Sequence, residues 1–183
     1  MTPDKPRSSS DRSAQTVDWP FVLYRTLKDA RLRQASYVPD AGHARLIELL
    51  GADRDVQATL LTTEEEGIAI AAGAWLGGER SVLLMQSSGV GNCINMLSLP
   101  RNCRFPLLML VTMRGEWGEF NSWQVPMGRA TPDVLRASDV LVYRAEQPDE
   151  VEEMVEAALD IAFDGELAAA VLLSQRLIGR KKW

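Results

Sequence analysis

Histidine is almost missing from this sequence: His43 is the only one among 183 residues. A metal centre built on several histidines is therefore excluded, and a Ser-His-Asp triad would have to be assembled around that single ring. Cysteine is nearly as scarce. Cys93 and Cys103 stand ten apart with no cysteine or histidine pattern around them, which fits neither a disulfide framework nor a zinc site and predicts two buried, reduced thiols. Positive charge is short as well, with 20 Lys and Arg against 25 Asp and Glu and a formal net charge of −5. That balance lacks the basic face with which a sequence-independent nucleic-acid binder displaces counterions, although a local arginine cluster would still suit a small anion. No apolar run is long enough to cross a bilayer and the N-terminus has no hydrophobic signal region. The expectation is a cytoplasmic protein with no membrane span.

What the sequence does contain is 46% hydrophobic residues in a chain of single-domain size. Residues 1–16 are rich in Ser, Lys, Arg, Asp and Pro and predict a disordered tail, leaving 17–183 as the domain. The Arg180, Lys181, Lys182 run reads as a solvated tail. Phe21, Val22, Leu23, Leu27 and Ala30 recur at helical spacing behind Asp18, a candidate cap, and Pro20, predicting a first helix that ends near Gln34. Short apolar runs at 37–39, 56–61, 82–86, 107–113, 140–143 and 169–173 then alternate with helical patterns at 43–50, 64–76, 92–99, 132–138 and 149–163. This alternation predicts the α/β class: a single doubly wound domain whose mostly parallel sheet has about six strands. In such a fold ligands sit beyond the carboxyl ends of the strands. Attention therefore falls on the loops at 39–43, 62–66, 87–92 and 114–124.

Thr62-Thr63-Glu64-Glu65-Glu66 runs into Gly67-Ile68-Ala69-Ile70-Ala71-Ala72-Gly73-Ala74-Trp75-Leu76, a helix apolar nearly all round and so expected to be buried. Thr63 and Glu66 have the spacing of a capping box, and acidic residues suit the first turn. Three glutamates exceed what one cap requires, so one of them is a candidate for proton transfer. Ser87-Ser88-Gly89-Val90-Gly91-Asn92 follows an apolar strand and reads either as a plain tight turn or as a place where a flat ligand meets the backbone. It is not a dinucleotide fingerprint, since Ile94 stands where the third glycine would be. Arg114 to Gln124 carries Trp117, Phe120 and Trp123 between glycines. Such a loop either packs on itself or lies against a partner or ligand.

These residues resemble the pyrimidine-binding domain of thiamin diphosphate enzymes. Glu64 stands nine residues before Gly73 with Ala69, Ala71 and Ala72 between, similar to that family's glutamate and small-residue helix. Leu83-Leu84-Met85-Gln86-Ser87-Ser88-Gly89-Val90-Gly91-Asn92 through Asn95 is similar to the Met-Gln-Asn-Ser-Gly-x-Gly-Asn segment of sulfopyruvate decarboxylase alpha subunits and phosphonopyruvate decarboxylases. Arg114-Gly115-Glu116 and Pro126-Met127-Gly128-Arg129-Ala130-Thr131 also resemble that branch. The likeness spans residues 37 to 131.

The resemblance implies the thiamin diphosphate-binding fold and a thiamin diphosphate cofactor. Glu64 would hydrogen-bond the pyrimidine ring and favour its imino tautomer, so that a 2-oxoacid is decarboxylated to carbon dioxide and an aldehyde, with the electron sink supplied by the cofactor. Gly89, Val90 and Gly91 would line the pyrimidine, with Asn92 and Asn95 as neighbours. His43 would be either a proton relay or a backbone-satisfied helix-start residue. Arg114 and Arg129 would hold an anionic substrate tail, or Arg114 would pair with Glu116 or Glu119. The family's Gly-Asp-Gly segment, which holds Mg2+ and the diphosphate, does not occur here. The resemblance therefore implies a hetero-oligomer whose beta-type subunit carries the magnesium ligands, with no metal ligand on this chain and no activity without the partner. The leading expectation is an alpha-type subunit acting on a 3-substituted pyruvate such as sulfopyruvate or phosphonopyruvate. A carboligase or other oxoacid lyase subunit, and a non-catalytic regulatory subunit of the same fold, remain as alternatives.

Overall fold

The computed structural model describes residues 17–179. The tails expected at 1–16 and 180–182 lie outside the described residues. Six strands, β1 Leu32–Tyr37, β2 Gln57–Leu60, β3 Arg80–Gln86, β4 Leu107–Thr112, β5 Leu141–Ala145 and β6 Ala168–Leu173, form one sheet in the order β2-β1-β3-β4-β6-β5. Every neighbouring pair is parallel, because helices supply the long return each parallel pairing needs.

The sheet separates two cores, as strand alternation requires. Val82 and Leu84 face Leu23 and Leu27 of α1 (Trp19–Asp29), Leu46 and Leu50 of α2 (Ala44–Ala52), and Val151 and Val155 of α7 (Val151–Leu159). Leu83 and Met85, on the opposite face, meet Ile68 of α3 (Glu64–Leu76), Val90 of α4 (Ser87–Cys93) and Leu135 of α6 (Gln124–Ala137). A short α5 (Ser98–Cys103) precedes β4, and α8 (Gln175–Ile178) follows β6. The domain is thus doubly wound, and its sheet is wholly parallel. The carboxyl ends of all six strands open onto one edge.

Three local expectations are corrected. The first helix stops at Asp29 rather than near Gln34, because Arg31 turns left-handed at φ 60° and the chain enters β1. That strand is pinned between β2 and β3, so pairing overrides its polar Arg33, Gln34 and Ser36. Asp18 makes no cap bond and instead approaches Arg45 at 3.5 Å. α6 starts at Gln124 rather than at Pro132, which lies inside it. Pro126 occupies the first turn, where a missing N–H costs little.

The two glycines of α3 make opposite demands. A β-carbon on Gly67 would strike the Leu83 side chain and crowd Ser36 Oγ at 3.0 Å, whereas one on Gly73 meets nothing within 4 Å. Gly67→Ala should therefore destabilise the chain by about 1–3 kcal/mol. Gly73→Ala should be neutral or stabilising by up to about 1 kcal/mol through helix propensity. Urea unfolding of both variants checks this, and equal effects would contradict the packing of α3 on β3.

Candidate active site

The start of α3 divides three glutamates by function. Thr63 has an extended backbone and its hydroxyl makes no capping bond. Glu66 does the capping, its Oε2 accepting the Thr62 N–H at 2.8 Å. Glu65 is exposed. Glu64, released from the cap, is only 7% exposed, and its Oε2 accepts a 2.8 Å hydrogen bond from Asn92 Nδ2. Its other oxygen makes no hydrogen bond among the described residues. A β-carbon on Gly89 would come to 2.5 Å from Cδ, Cγ and Oε1 of Glu64. Only glycine lets the carboxylate lie there.

The glycine segment is the first turns of α4 rather than a tight turn before a helix at Asn92. Neither Gly89 nor Gly91 is left-handed; they are needed for space, not for backbone freedom. Gly91 is backed by Met127 of α6, whose Sδ lies 3.3 Å from a notional β-carbon. The Val90 side chain is fully buried in the core below α4, so only its backbone is left to line a ligand. Asn92 is committed to Glu64, and Asn95 is exposed one turn further on.

His43 does not reach the surface. Its ring is 0% exposed, with Nε2 3.0 Å from the Leu110 carbonyl and Nδ1 unpartnered. Donation to that carbonyl places the proton on Nε2. Burial pushes its pKa below the usual histidine value, against the opposing pull of Asp40 and the nearby carbonyls. The ring pins the 39–43 loop to the sheet as a neutral group, which corrects the expectation of a proton relay at the ligand edge. Of that loop, Asp40, Ala41 and Gly42 line a cleft; Asp40 Oδ2 accepts from Thr112 Oγ1 at 2.5 Å and from Gly42 N at 3.2 Å. Of the two thiols, Cys93 is buried and desolvation pushes it up to about 12, but Cys103 is exposed, contrary to expectation.

Arg114 is paired. Its Nε and Nη2 donate to the two oxygens of Glu119, both at 2.7 Å, and the Arg114 hydrogen bond holds Glu119 down at about 2. Arg129 is exposed on α6 and has no hydrogen bond or ion pair among the described residues. Its neighbours Gly128 and Thr131 face inward, Gly128 against the Arg114 carbonyl and Thr131 beneath Ser87. The two arginines are therefore not brought together as a single anion site. Trp123 is 72% exposed, and Trp117 is partly exposed with the Arg176 guanidinium 5.9 Å from its ring centre. Sequence reasoning missed Gln175, which is buried beneath this loop and holds it by four hydrogen bonds. A lone glutamine after a strand carries no pattern that would have revealed it.

A buried carboxylate at a helix start, faced by a glycine at the carboxyl edge of a parallel sheet, places the chain among α/β domains of the thiamin diphosphate-binding type. Among solved structures the fold matches 2-oxoglutarate:ferredoxin oxidoreductase from Magnetococcus marinus, with a TM-score of 0.71 at 15% identity, over all of this chain and 37% of that one. It also matches a Mycobacterium smegmatis protein described as thiamin diphosphate-dependent, with a TM-score of 0.67 at 18% identity, over 87% of this chain and 30% of that one. Sequence relatives carry the assignment further. The chain is 39% identical over 158 residues to sulfopyruvate decarboxylase subunit alpha of Methanothermobacter thermautotrophicus, covering 86% of this chain and 96% of that subunit. It is 34% identical over 153 residues to the Methanococcus maripaludis subunit, covering 83% and 92%. Phosphonopyruvate decarboxylase of Streptomyces viridochromogenes is 39% identical over 105 residues, 56% of this chain and 26% of that enzyme. No family model matches. This chain belongs to the family of sulfopyruvate decarboxylase alpha subunits.

The buried neutral state of His43 makes stability pH-dependent. Above its unfolded pKa of about 6.5 both folded and unfolded rings are neutral; below it the unfolded chain takes up a proton that the folded chain refuses, so stability falls with pH. The stability of the wild type relative to His43→Gln should therefore shrink by up to about 1.4 kcal/mol per pH unit between about pH 6.5 and the depressed folded value. Urea melts of both proteins at several pH values measure this. A difference independent of pH would show that the folded ring ionises normally.

Proposed function

We propose that this chain is the alpha-type subunit of a thiamin diphosphate-dependent decarboxylase that converts sulfopyruvate, or a closely related 3-substituted pyruvate, to carbon dioxide and an aldehyde. Its beta-type partner would carry the Gly-Asp-Gly segment, the magnesium ion and the diphosphate. The observation that carries the reading is Glu64, desolvated at the head of α3, oriented by Asn92 and left room by Gly89. Those features fit an aminopyrimidine: a flat ring needs a side-chain-free approach, and its ring nitrogen needs a carboxyl partner. Among the described residues no cluster of His, Cys, Asp or Glu could hold a metal ion.

When bound, thiamin diphosphate supplies the nucleophilic carbon and electron sink that a 2-oxoacid needs to lose carbon dioxide. The protein's task is to control a proton and a geometry. Glu64 Oε1 would share a proton with the pyrimidine, while the Asn92 amide keeps Oε2 occupied and so fixes which oxygen is free. The shape of Gly89 and Gly91, with Met127 behind, would set the plane in which the ring lies.

The surface supports an assembly. Leu60, Leu76, Ile94 and Trp123 are exposed, and α3, although apolar nearly all round, leaves Ala69, Gly73 and Leu76 facing outward. Exposed large apolar groups of this kind suit a surface that a partner covers. Among the described residues no helix is long and apolar enough to cross a membrane.

Co-expression with the partner subunit and assay against a 2-oxoacid panel tests the reading. The pair should decarboxylate sulfopyruvate, and this chain alone should turn over nothing. Glu64→Gln should assemble normally but lose about 10²–10⁴-fold in kcat, because an amide cannot exchange the proton. Glu65→Gln should retain activity. If Glu65→Gln is dead while Glu64→Gln is active, or if the pair releases no carbon dioxide from any 2-oxoacid, the assignment fails.

A further inference from the structure

Gln175 is buried at 3% exposure, yet it belongs to no helix core and touches no part of the site built around Glu64. It opens α8, a four-residue helix at the end of β6, where Ser174 Oγ accepts the Leu177 N–H at 3.1 Å and holds the turn in place. Its side-chain oxygen accepts the backbone N–H groups of Glu116 at 3.1 Å and Trp117 at 2.9 Å. Its side-chain nitrogen donates to Glu119 Oε2 at 3.0 Å. Its own backbone N–H donates to Glu116 Oε1 at 2.8 Å. The amide can sit only one way round, since flipping it would turn an NH2 group onto two N–H donors and an oxygen onto a carboxylate.

This arrangement reaches Arg114. Glu119, gripped by Gln175 and by the N–H groups of Gly115 and Asn121, takes two of the three guanidinium nitrogens. The third, Nη1, makes no hydrogen bond among the described residues. Arg114, Gln175, Asp40, Ala41, Gly42 and Gly179 are among the residues lining a cleft of about 160 Å³ at the carboxyl edge of the sheet. That volume is below the ~300 Å³ at which sites for whole drug-sized ligands begin; it suits a small anionic group such as a carboxylate or sulfonate. Asp40 stands in the same cleft and would pair with Arg114 if the guanidinium were free to turn. Thr112 and Gly42 hold its carboxylate on one side, and Glu119 holds the guanidinium on the other.

We infer that Gln175 is a positioning residue which, through Glu119, keeps Arg114 off Asp40 and leaves Nη1 to meet the anionic group of the oxoacid in this cleft. The inference rests on the decarboxylase reading above for the identity of the anion. It does not rest on that reading for the clamp itself.

The test uses the assembled pair with sulfopyruvate as substrate, together with hydrogen exchange at the amides of residues 116 and 117. In Gln175→Leu those amides should exchange at least about tenfold faster, as groups lose protection when their acceptor goes. KM should rise at least about tenfold, with a smaller fall in kcat, as expected when binding rather than chemistry is lost. Gln175→Glu should raise KM as Gln175→Leu does at neutral pH, because two carboxylates then face each other, while its oxygens still accept the N–H groups of residues 116 and 117. As pH falls and the new carboxyl is protonated, it again presents one acceptor and one donor, so KM should return toward the wild-type value; Gln175→Leu should show no such recovery. Unchanged exchange in Gln175→Leu would overturn the clamp. Faster exchange with KM unchanged, or with kcat and melting temperature falling together and no recovery in Gln175→Glu, would overturn its role in substrate binding. If the wild-type pair decarboxylates nothing, the functional reading fails, while the exchange rates still decide the clamp.

Discussion

The carboxyl edge of the sheet is organised by the absence of a side chain at residue 89. Glu64 and Gly89 begin different helices, α3 and α4, and their close approach fixes how those helices meet. A β-carbon at 89 would sit on the carboxylate, forcing either the glutamate outward or α4 away from β3. Because Gly67 demands equally close packing of α3 on Leu83, α3 cannot relieve such strain by moving off the sheet. Desolvation of Glu64 and its bond to Asn92 are consequences of these two contacts. The stability of the helix pair and the reactivity of the carboxyl are set by the same atoms.

Much of this was legible in the sequence, and the failures have identifiable causes. The buried strands β3, β4 and β6 announce themselves as continuous apolar runs, because a sheet covered on both faces has no polar side. β1 was legible only at its end: Leu32 and Ala35 are its fully buried apolar residues, and its strand character comes from neighbours on both sides. Glu64 stood out through its likeness to the family's glutamate, and the capping-box spacing already pointed to Glu66, but the structure shows that Glu66 caps the Thr62 N–H. The glycines of α4 were recognised as meaningful, but a plain tight turn stayed open beside a ligand-facing role, and the helix was expected to begin only at Asn92. Sequence shows that glycine is required without showing whether backbone freedom or empty space is the reason. His43 was left undecided for a related cause, since a single histidine in a loop gives no sign of whether its ring points out or lies under the sheet edge.

Arg114 and Arg144, which meet glutamates of the 114–124 loop, are both paired. Arg114 is bound to Glu119 through two nitrogens, and Arg144 contacts Glu116 at 2.8 Å and Glu146 at 2.6 Å. A bidentate pair of this kind, about a tenth exposed on the arginine side and less on the glutamate side, is dear to break because either partner alone would be a poorly solvated charge. Arg114 is therefore better suited to presenting a fixed donor than to reaching for a ligand. Rigid presentation costs a ligand less on binding than a donor that must first be ordered.

Two carboxylates, Asp40 and Glu119, flank this one guanidinium. A doubly charged substrate that used Arg114 alone would bring two negative charges into a cleft that already has one more acid than base. Only one anionic end can be accommodated there without further positive charge. Arg129, exposed and unpaired on the outward side of α6, does not share the cleft. Among the described residues Arg114 is the one cation lining that cleft, so a second anionic end of a sulfopyruvate-like molecule would need a cation beyond that lining. Trp117, exposed on the loop that Gln175 holds, would have to be covered before the surroundings became dry enough for such pairing to be strong.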